Sequence, residues 1–192
     1  MIEREEDFVL LTSWRTGDRS AGGRLIKRYS GLLLRFFRTK VGEDADDLVQ
    51  HTFVACTERK DAIQNPASFR AYLLAIARGV LVEHFRRKTR HHKRFDALET
   101  SVADLEPTPS QHLAKNEERR LMGEALRQIP LELQVALELY YWEGMAGPEL
   151  AAALDLPEGT VRTRLRRGRQ LVRERLAELG APEDEPLGGP PR

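Results

Sequence analysis

Apolar positions in this chain fall at helical spacing almost wherever they cluster. Leu25, Ile26, Tyr29, Leu32, Leu33, Phe36 and Phe37 recur at i, i+3, i+4 and i+7, which predicts an amphipathic helix from Leu25 to Thr39, ended by Gly42. A short amphipathic stretch, Val9 to Trp14, precedes it, with a break at Gly17-Asp18. Asp44, Asp46 and Asp47 sit where a following helix would begin, and the helix dipole favours negative charge there. That helix carries Leu48, Val49, Thr52, Phe53 and Cys56 and fades at Arg59-Lys60-Asp61. Pro66 suits a first helical position, and the spacing of Phe69, Leu73, Leu74, Ile76, Ala77, Val80, Leu81 and Phe85 predicts a long helix to about Arg90. From about Phe95 to Lys115 the pattern dissolves into Thr, Ser and Pro, the composition of a flexible linker.

A second helical set follows, at about Lys115–Gln128, Leu131–Trp142, Pro148–Leu154 and Glu158–Leu179. Leu131, Leu133, Val135, Leu137 and Leu139 alternate as a strand template does, but Glu132, Gln134, Ala136 and Glu138 between them are good helix formers. A helix is therefore expected. The architecture that emerges is all-α: a helical unit over 1–94, a linker over 95–114, a second unit over 115–179 and an acidic, Pro/Gly-rich tail over 180–192 expected to be disordered.

Pro148–Leu154, the turn Asp155-Leu156-Pro157 and the basic helix after it have the outline of a helix-turn-helix, whose second helix enters the DNA major groove. Thr160 or Glu158 can cap that helix, and Val161, Leu165, Leu171 and Val172 are its buried-face candidates. Arg162, Thr163, Arg166 and Arg167 then fall on the outer face, where arginine can grip guanine bidentately. Arg169 and Arg173 suit phosphate contacts. A solvated basic helix is the plain alternative.

Net charge is only +1, so it is the distribution that points to nucleic acid. Six cations and no acid lie between His84 and Arg94, and seven arginines against two glutamates between Glu158 and Arg175. Two basic patches on a near-neutral chain suggest two phosphate-facing surfaces. In the first, Arg78, Arg86, Arg87, Lys88 and Arg90 line the long helix behind a loop with Asn65 and Ser68. Tyr72 on the same helix can stack on an unpaired base or pack in the core, and the sequence leaves both open. The single cysteine, Cys56, excludes an internal disulfide and fits a small buried hydrophobe in a reducing compartment. No apolar run approaches the ~18 residues of a membrane span, and the acidic start is unlike a secretory signal, so cytoplasmic placement without stable membrane insertion is expected. His84 and His91 stand seven apart, flanked by cations that repel a metal, and no acidic ligand is expected near them, so no metal site is expected. No glycine-rich phosphate loop or nucleophilic triad is recognisable, so neither an enzyme nor a cofactor is expected.

The stretches Asp46-Asp47-Leu48-Val49-Gln50-His51-Thr52-Phe53, Phe69 to Arg78 and Gly159 to Leu165, in this order and spacing, resemble the extracytoplasmic-function sigma factors. The likeness runs from about Val9 to Leu176. It implies that the first unit (region 2) binds core RNA polymerase and melts the minus-ten promoter element, and that the second (region 4) grips the minus-thirty-five element. By position, Asp46, Asp47, Leu48, Gln50 and Phe53 fall in the polymerase-binding helix, and the loop from Ala62 to Ser68 where the family captures a flipped base. Minus-ten contacts fall to Asn65, Ser68, Tyr72, Arg78, Arg86 and Arg87, and minus-thirty-five contacts to Thr160, Arg162, Thr163, Arg166, Arg167 and Arg169. An anti-sigma factor is a common partner of the family; nothing in the sequence identifies one. The chain departs from the family at Tyr72, where tryptophan is usual, and at Gly79, where asparagine is usual, so base capture through that asparagine does not carry over. Gly22-Gly23 stands in place of alanine and an aromatic residue, which predicts weaker core packing there. The rival reading is a stand-alone helix-turn-helix regulator, which binds a palindrome without polymerase.

Overall fold

A computed structural model describes residues 2–62, 69–89, 95–106 and 117–181. Among them lie α1 (Ile2–Arg15), α2 (Arg19–Val41), α3 (Ala45–Glu58), α4 (Phe69–Lys88), the single turn α5 (Val102–Leu105), α6 (Glu117–Arg127), α7 (Leu131–Tyr141), α8 (Gly147–Leu154) and α9 (Glu158–Glu178), with 3-10 turns at Gly42–Asp44 and Lys60–Ala62. The fold is all-α, as the spacing predicts. The expected starts at Pro66 and Lys115, the end at Arg90 and the tail from residue 182 lie outside the described residues.

In the first set, α1 packs on α2, and α3 on α2 and α4. Leu25, Leu33, Phe37, Leu73, Leu74, Leu81 and Phe85 fill its centre. The helix expected from Leu25 begins six residues earlier. Asp18 caps it, accepting from the backbone N–H groups of Ser20 and Ala21, which draws Gly22 and Gly23 into the helix. Gly22 does not thin the packing. A Cβ there would lie 2.5 Å from the Trp14 indole nitrogen, so the ring of α1 occupies the space a side chain would take. Gly22→Ala is expected to lower stability by about 1–3 kcal/mol through this clash. An unchanged denaturant midpoint would show instead that the indole swings aside freely.

The second set builds the helix-turn-helix on a floor made by α6 and α7. The alternation along α7 has a simple origin: every residue from Leu131 to Leu139 is buried. A helix covered on all sides needs no solvent face. Its apolar positions meet the second core, and its buried polar positions, Glu132, Gln134 and Glu138, find charged or polar partners. The ordering reaches back into the segment expected as linker. Ser101 and Asp104 form a reciprocal capping box around α5, and the N–H groups of Leu131 and Glu132 donate to the carbonyls of Thr100 and Ala97. Residues 95–106 therefore dock on the start of α7, while 107–116 lie outside the described residues. The two sets touch: α8 packs along α4, and Lys40 of α2 reaches Glu138 of α7.

Candidate nucleic-acid interface

Helix α9 owes its orientation to one stripe. Val161, Leu165, Gly168, Val172 and Leu176 are buried, at spacings of four, three, four and four. Gly168 sets how closely the helix sits on α7, since a Cβ there would lie 3.1 Å from the Leu137 Cδ1. Leu171, expected among the buried residues, is half-buried. The turn before α9 closes through Asp155 in the left-handed region at φ 54°, with the Leu156 N–H donating to the Ala151 carbonyl at 3.0 Å.

With that stripe inward, Arg162, Thr163, Arg166 and Arg167 point to solvent together, as expected, and Arg169 flanks them half-exposed. Thr160 is exposed beside them but does not cap the helix. The N-cap residue is Pro157, with no side-chain cap bond, and Glu158 supplies first-turn negative charge without capping. The reason is register: α9 begins at Glu158, so Thr160 already lies inside its first turn. Arg166, Arg169, Gln170, Arg173 and Glu174 line a shallow depression along the same helix.

The first basic patch looks different. Arg86 and Arg87 are exposed, and both pair with Glu83 at 3.2 Å, which holds that carboxyl below its usual range. Arg78 does not face outward: its Nε donates to Glu132 of α7 at 3.0 Å. The same carboxylate takes Arg164 of α9 at 2.7 Å. Tyr72 is half-buried, and its hydroxyl donates to the Arg59 carbonyl at 3.1 Å. Its ring lines a groove between α3 and α4, of about 640 Å³, with Leu48, His51, Ala55, Ile76, Gly79 and Val80. Burial raises the phenol's pKa. Asn65 and Ser68 lie outside the described residues, as do Arg90, Lys93 and Arg94.

On α3, Asp46, Asp47 and Gln50 are exposed along one side, and Phe53 is half-buried beside them. Leu48 departs from expectation. It turns inward, 4% exposed, because its position on the helix faces the first core, so it mainly anchors α3 and meets solvent only at the floor of the groove beside Tyr72. Val54 was missed and is 58% exposed. Its spacing of seven from Asp47 and four from Gln50 places it on their face, a signal helical geometry alone could have given. Cys56 is fully buried, and burial pushes its thiol up to about 11, as suits a structural residue.

The cluster at the end of α4 corrects one premise. Distant in sequence, Asp44 and Glu106 converge on His84, with donor atoms within 4.8 Å of one another. Lys88 already pairs with Glu106, so a cation is in place at that carboxylate. Desolvation lowers the His84 pKa, which keeps the imidazole neutral near pH 7.

These features coincide with known families. Residues 25–91 match the model of Sigma-70 region 2, and residues 119–172 that of Sigma-70, region 4. The chain is similar to the ECF RNA polymerase sigma-E factor of Haemophilus influenzae, 26% identical over 93% of this chain and 100% of that protein. Among solved structures, CnrH in complex with the cytosolic domain of CnrY is 26% identical, with a TM-score of 0.65, over 90% of this chain and 98% of that one. The sigma factor RpoE of Bartonella quintana, solved with the anti-sigma factor NepR, shares the fold at 19% identity and a TM-score of 0.62, over 81% of this chain and 96% of that one. A match to region 2 as well as region 4 leaves no room for the stand-alone regulator, whose first unit would be a ligand or dimerisation domain.

Proposed function

The chain belongs to the extracytoplasmic-function sigma factors of the sigma-70 family, and on that premise we propose how its surfaces divide the work of promoter-directed transcription initiation. As a sigma factor it brings core RNA polymerase to specific promoters; bond chemistry belongs to the polymerase, and the chain needs no cofactor of its own. Arg162, Thr163, Arg166 and Arg167 read base edges of the minus-thirty-five element, with Thr160 and Arg169 on its phosphates. The carrying observation is their joint exposure on a helix whose opposite stripe is buried against α7. Asp46, Asp47, Gln50, Phe53 and Val54 form the polymerase-binding face. Asn65, Ser68, Tyr72, Arg86 and Arg87 engage the minus-ten region.

Melting on this reading is differential binding: the protein holds unstacked bases better than stacked ones, and phosphate contacts add a salt-dependent term. The site of action is the cytoplasm, where polymerase is; among the described residues no helix is long and apolar enough to cross a membrane. CnrH is solved in complex with the cytosolic domain of CnrY, which supports a protein partner for this chain; an anti-sigma factor is the partner this reading assigns.

Transcription with core polymerase on two templates, a duplex promoter and the same promoter with a pre-melted bubble, tests this reading. The wild-type chain is expected to transcribe both, and Tyr72→Ala to lose activity on the duplex by roughly tenfold more than on the bubble, the worth of one lost stacking contact. Equal loss on both templates would assign Tyr72 to packing against α3. No specific transcript from the wild-type chain would refute the sigma-factor reading itself.

A further inference from the structure

Asp44, His84 and Glu106 come from three separate segments and meet with their donor atoms within 4.8 Å of one another. Each is held there for a reason of its own. Asp44 ends the 3-10 turn before α3 and takes the N-cap position of that helix, yet its carboxylate makes no capping bond, so its oxygens remain open to another ligand. Glu106 is pinned at its backbone: its N–H donates to the Val102 carbonyl at 2.8 Å, and its own carbonyl accepts from Arg127. That leaves its side chain to reach across to α4. His84 stands in the penultimate turn of α4, its ring edge-on to Phe85 with centroids 5.3 Å apart. The His84 Nε2 atom is buried and has no hydrogen-bond partner. Asp44 Oδ2 stands 3.6 Å from it, too far for a hydrogen bond. A buried ring nitrogen without a partner costs free energy, and a ligand seated between the three groups removes that cost.

We propose that Asp44, His84 and Glu106 bind one divalent transition-metal ion of the zinc type, with Lys88 as the charge that fills the site when the ion is absent. The donors are one imidazole nitrogen and two carboxylates, without a thiolate. That set suits zinc or nickel better than magnesium, which prefers oxygen alone. Two carboxylates balance the two charges of the ion, and water completes its coordination. Bonds of about 2.0–2.2 Å place tetrahedral ligand atoms roughly 3.3 Å apart, so the cluster must contract by up to about 1.5 Å. Asp44, 50% exposed on its turn, and Glu106, 23% exposed, can make that move by side-chain rotation while His84 stays in place. Lys88 pairs with Glu106 and is 45% exposed, so its ammonium can withdraw to water on a flexible stem. Arg87, the next cation along α4, is engaged by Glu83. Binding here therefore exchanges one cation for another. The ion ties the end of the 95–106 segment to α4 and to the turn before α3. It is a ligand of the fold and takes no part in the polymerase's chemistry, so the inference stands apart from the division of surfaces proposed above.

Calorimetric titration of zinc chloride into the chelator-stripped full chain at neutral pH tests the site. One ion per chain is expected, with an unfolding temperature that rises with free zinc. His84→Ala and Glu106→Gln are each expected to weaken binding by roughly a hundredfold or more, beyond the loss of a residue that only orients a ligand. Lys88→Met removes the competing charge and is expected to tighten binding by roughly tenfold, a gain that a cluster serving only to pack α4 cannot give. Replacing both His91 and His92 with alanine removes an adjacent imidazole pair outside the cluster and is expected to leave binding unchanged. Should His84→Ala fail to fold, Asp44→Asn on the half-exposed turn is expected to give the same loss. A chain that binds no zinc would overturn the proposal. So would binding that survives His84→Ala and Glu106→Gln or disappears with His91 and His92. Equal affinity for magnesium chloride would also overturn it, by showing that exposed carboxylates merely gather counter-ions.

Discussion

Replacing both Arg166 and Arg167 with alanine is expected to reduce promoter-directed transcription at least thirtyfold while leaving association with core polymerase unchanged. Both side chains stand on the solvent side of α9, in the turns that follow Arg162 and Thr163, and neither joins the buried stripe that seats the helix. Their removal therefore takes away contact with DNA and leaves the packing on α7 intact. A bidentate arginine–guanine contact is worth about 1–3 kcal/mol, so two together are worth roughly 2–6, and the lower bound already gives the thirtyfold loss. Arg164, on the same helix, is a useful contrast: it belongs to Glu132 of α7, so Arg164→Ala perturbs the seat of α9 on α7 before it perturbs base reading. Filter binding to wild-type and minus-thirty-five-mutated duplexes checks the assignment. A double variant that still discriminates between them would remove α9 from promoter reading.

The complementary loss is expected on α3. Phe53→Ala should weaken core-polymerase association about thirtyfold or more, as expected when a half-buried aromatic anchor of about 2 kcal/mol is truncated. Asp47→Ala should act mainly on the association rate and its salt dependence, because an exposed rim charge steers more than it holds. Val54→Ala, on the same face, should behave as Phe53→Ala does, though more weakly. None of these changes should alter the discrimination of promoter DNA by the second set. Surface-bound core polymerase and purified variants give the rates directly, and unchanged dissociation for Phe53→Ala would move the polymerase-binding face off α3.

Local spacing made most of the helices legible. The apolar stripes of α2, α4 and α9 are each complete within one segment, and the Asp155-Leu156-Pro157 turn marks the helix-turn-helix without help from the rest of the chain. Features that depend on another segment were not legible. Nothing near Lys40 says that it will be sealed from water, because its partner Glu138 lies 98 residues away. Arg78 reads as a DNA-facing cation until Glu132 is brought against it. The strand-like alternation of α7 becomes intelligible only when the first set is seen to cover its polar positions. Gly22 looked like a packing defect because the indole that fills its place belongs to another helix. The residues of α5 fall in the stretch whose composition predicts a flexible linker, and the Ser101–Asp104 capping box uses those polar residue types to start a helical turn.

The most direct test of the central claim is run-off transcription with purified core polymerase on the promoter region upstream of the protein's own gene. A discrete transcript that requires the chain, the polymerase and both elements of an asymmetric promoter is the expected result. Binding to a symmetric operator without polymerase, and no transcript with it, would contradict the account.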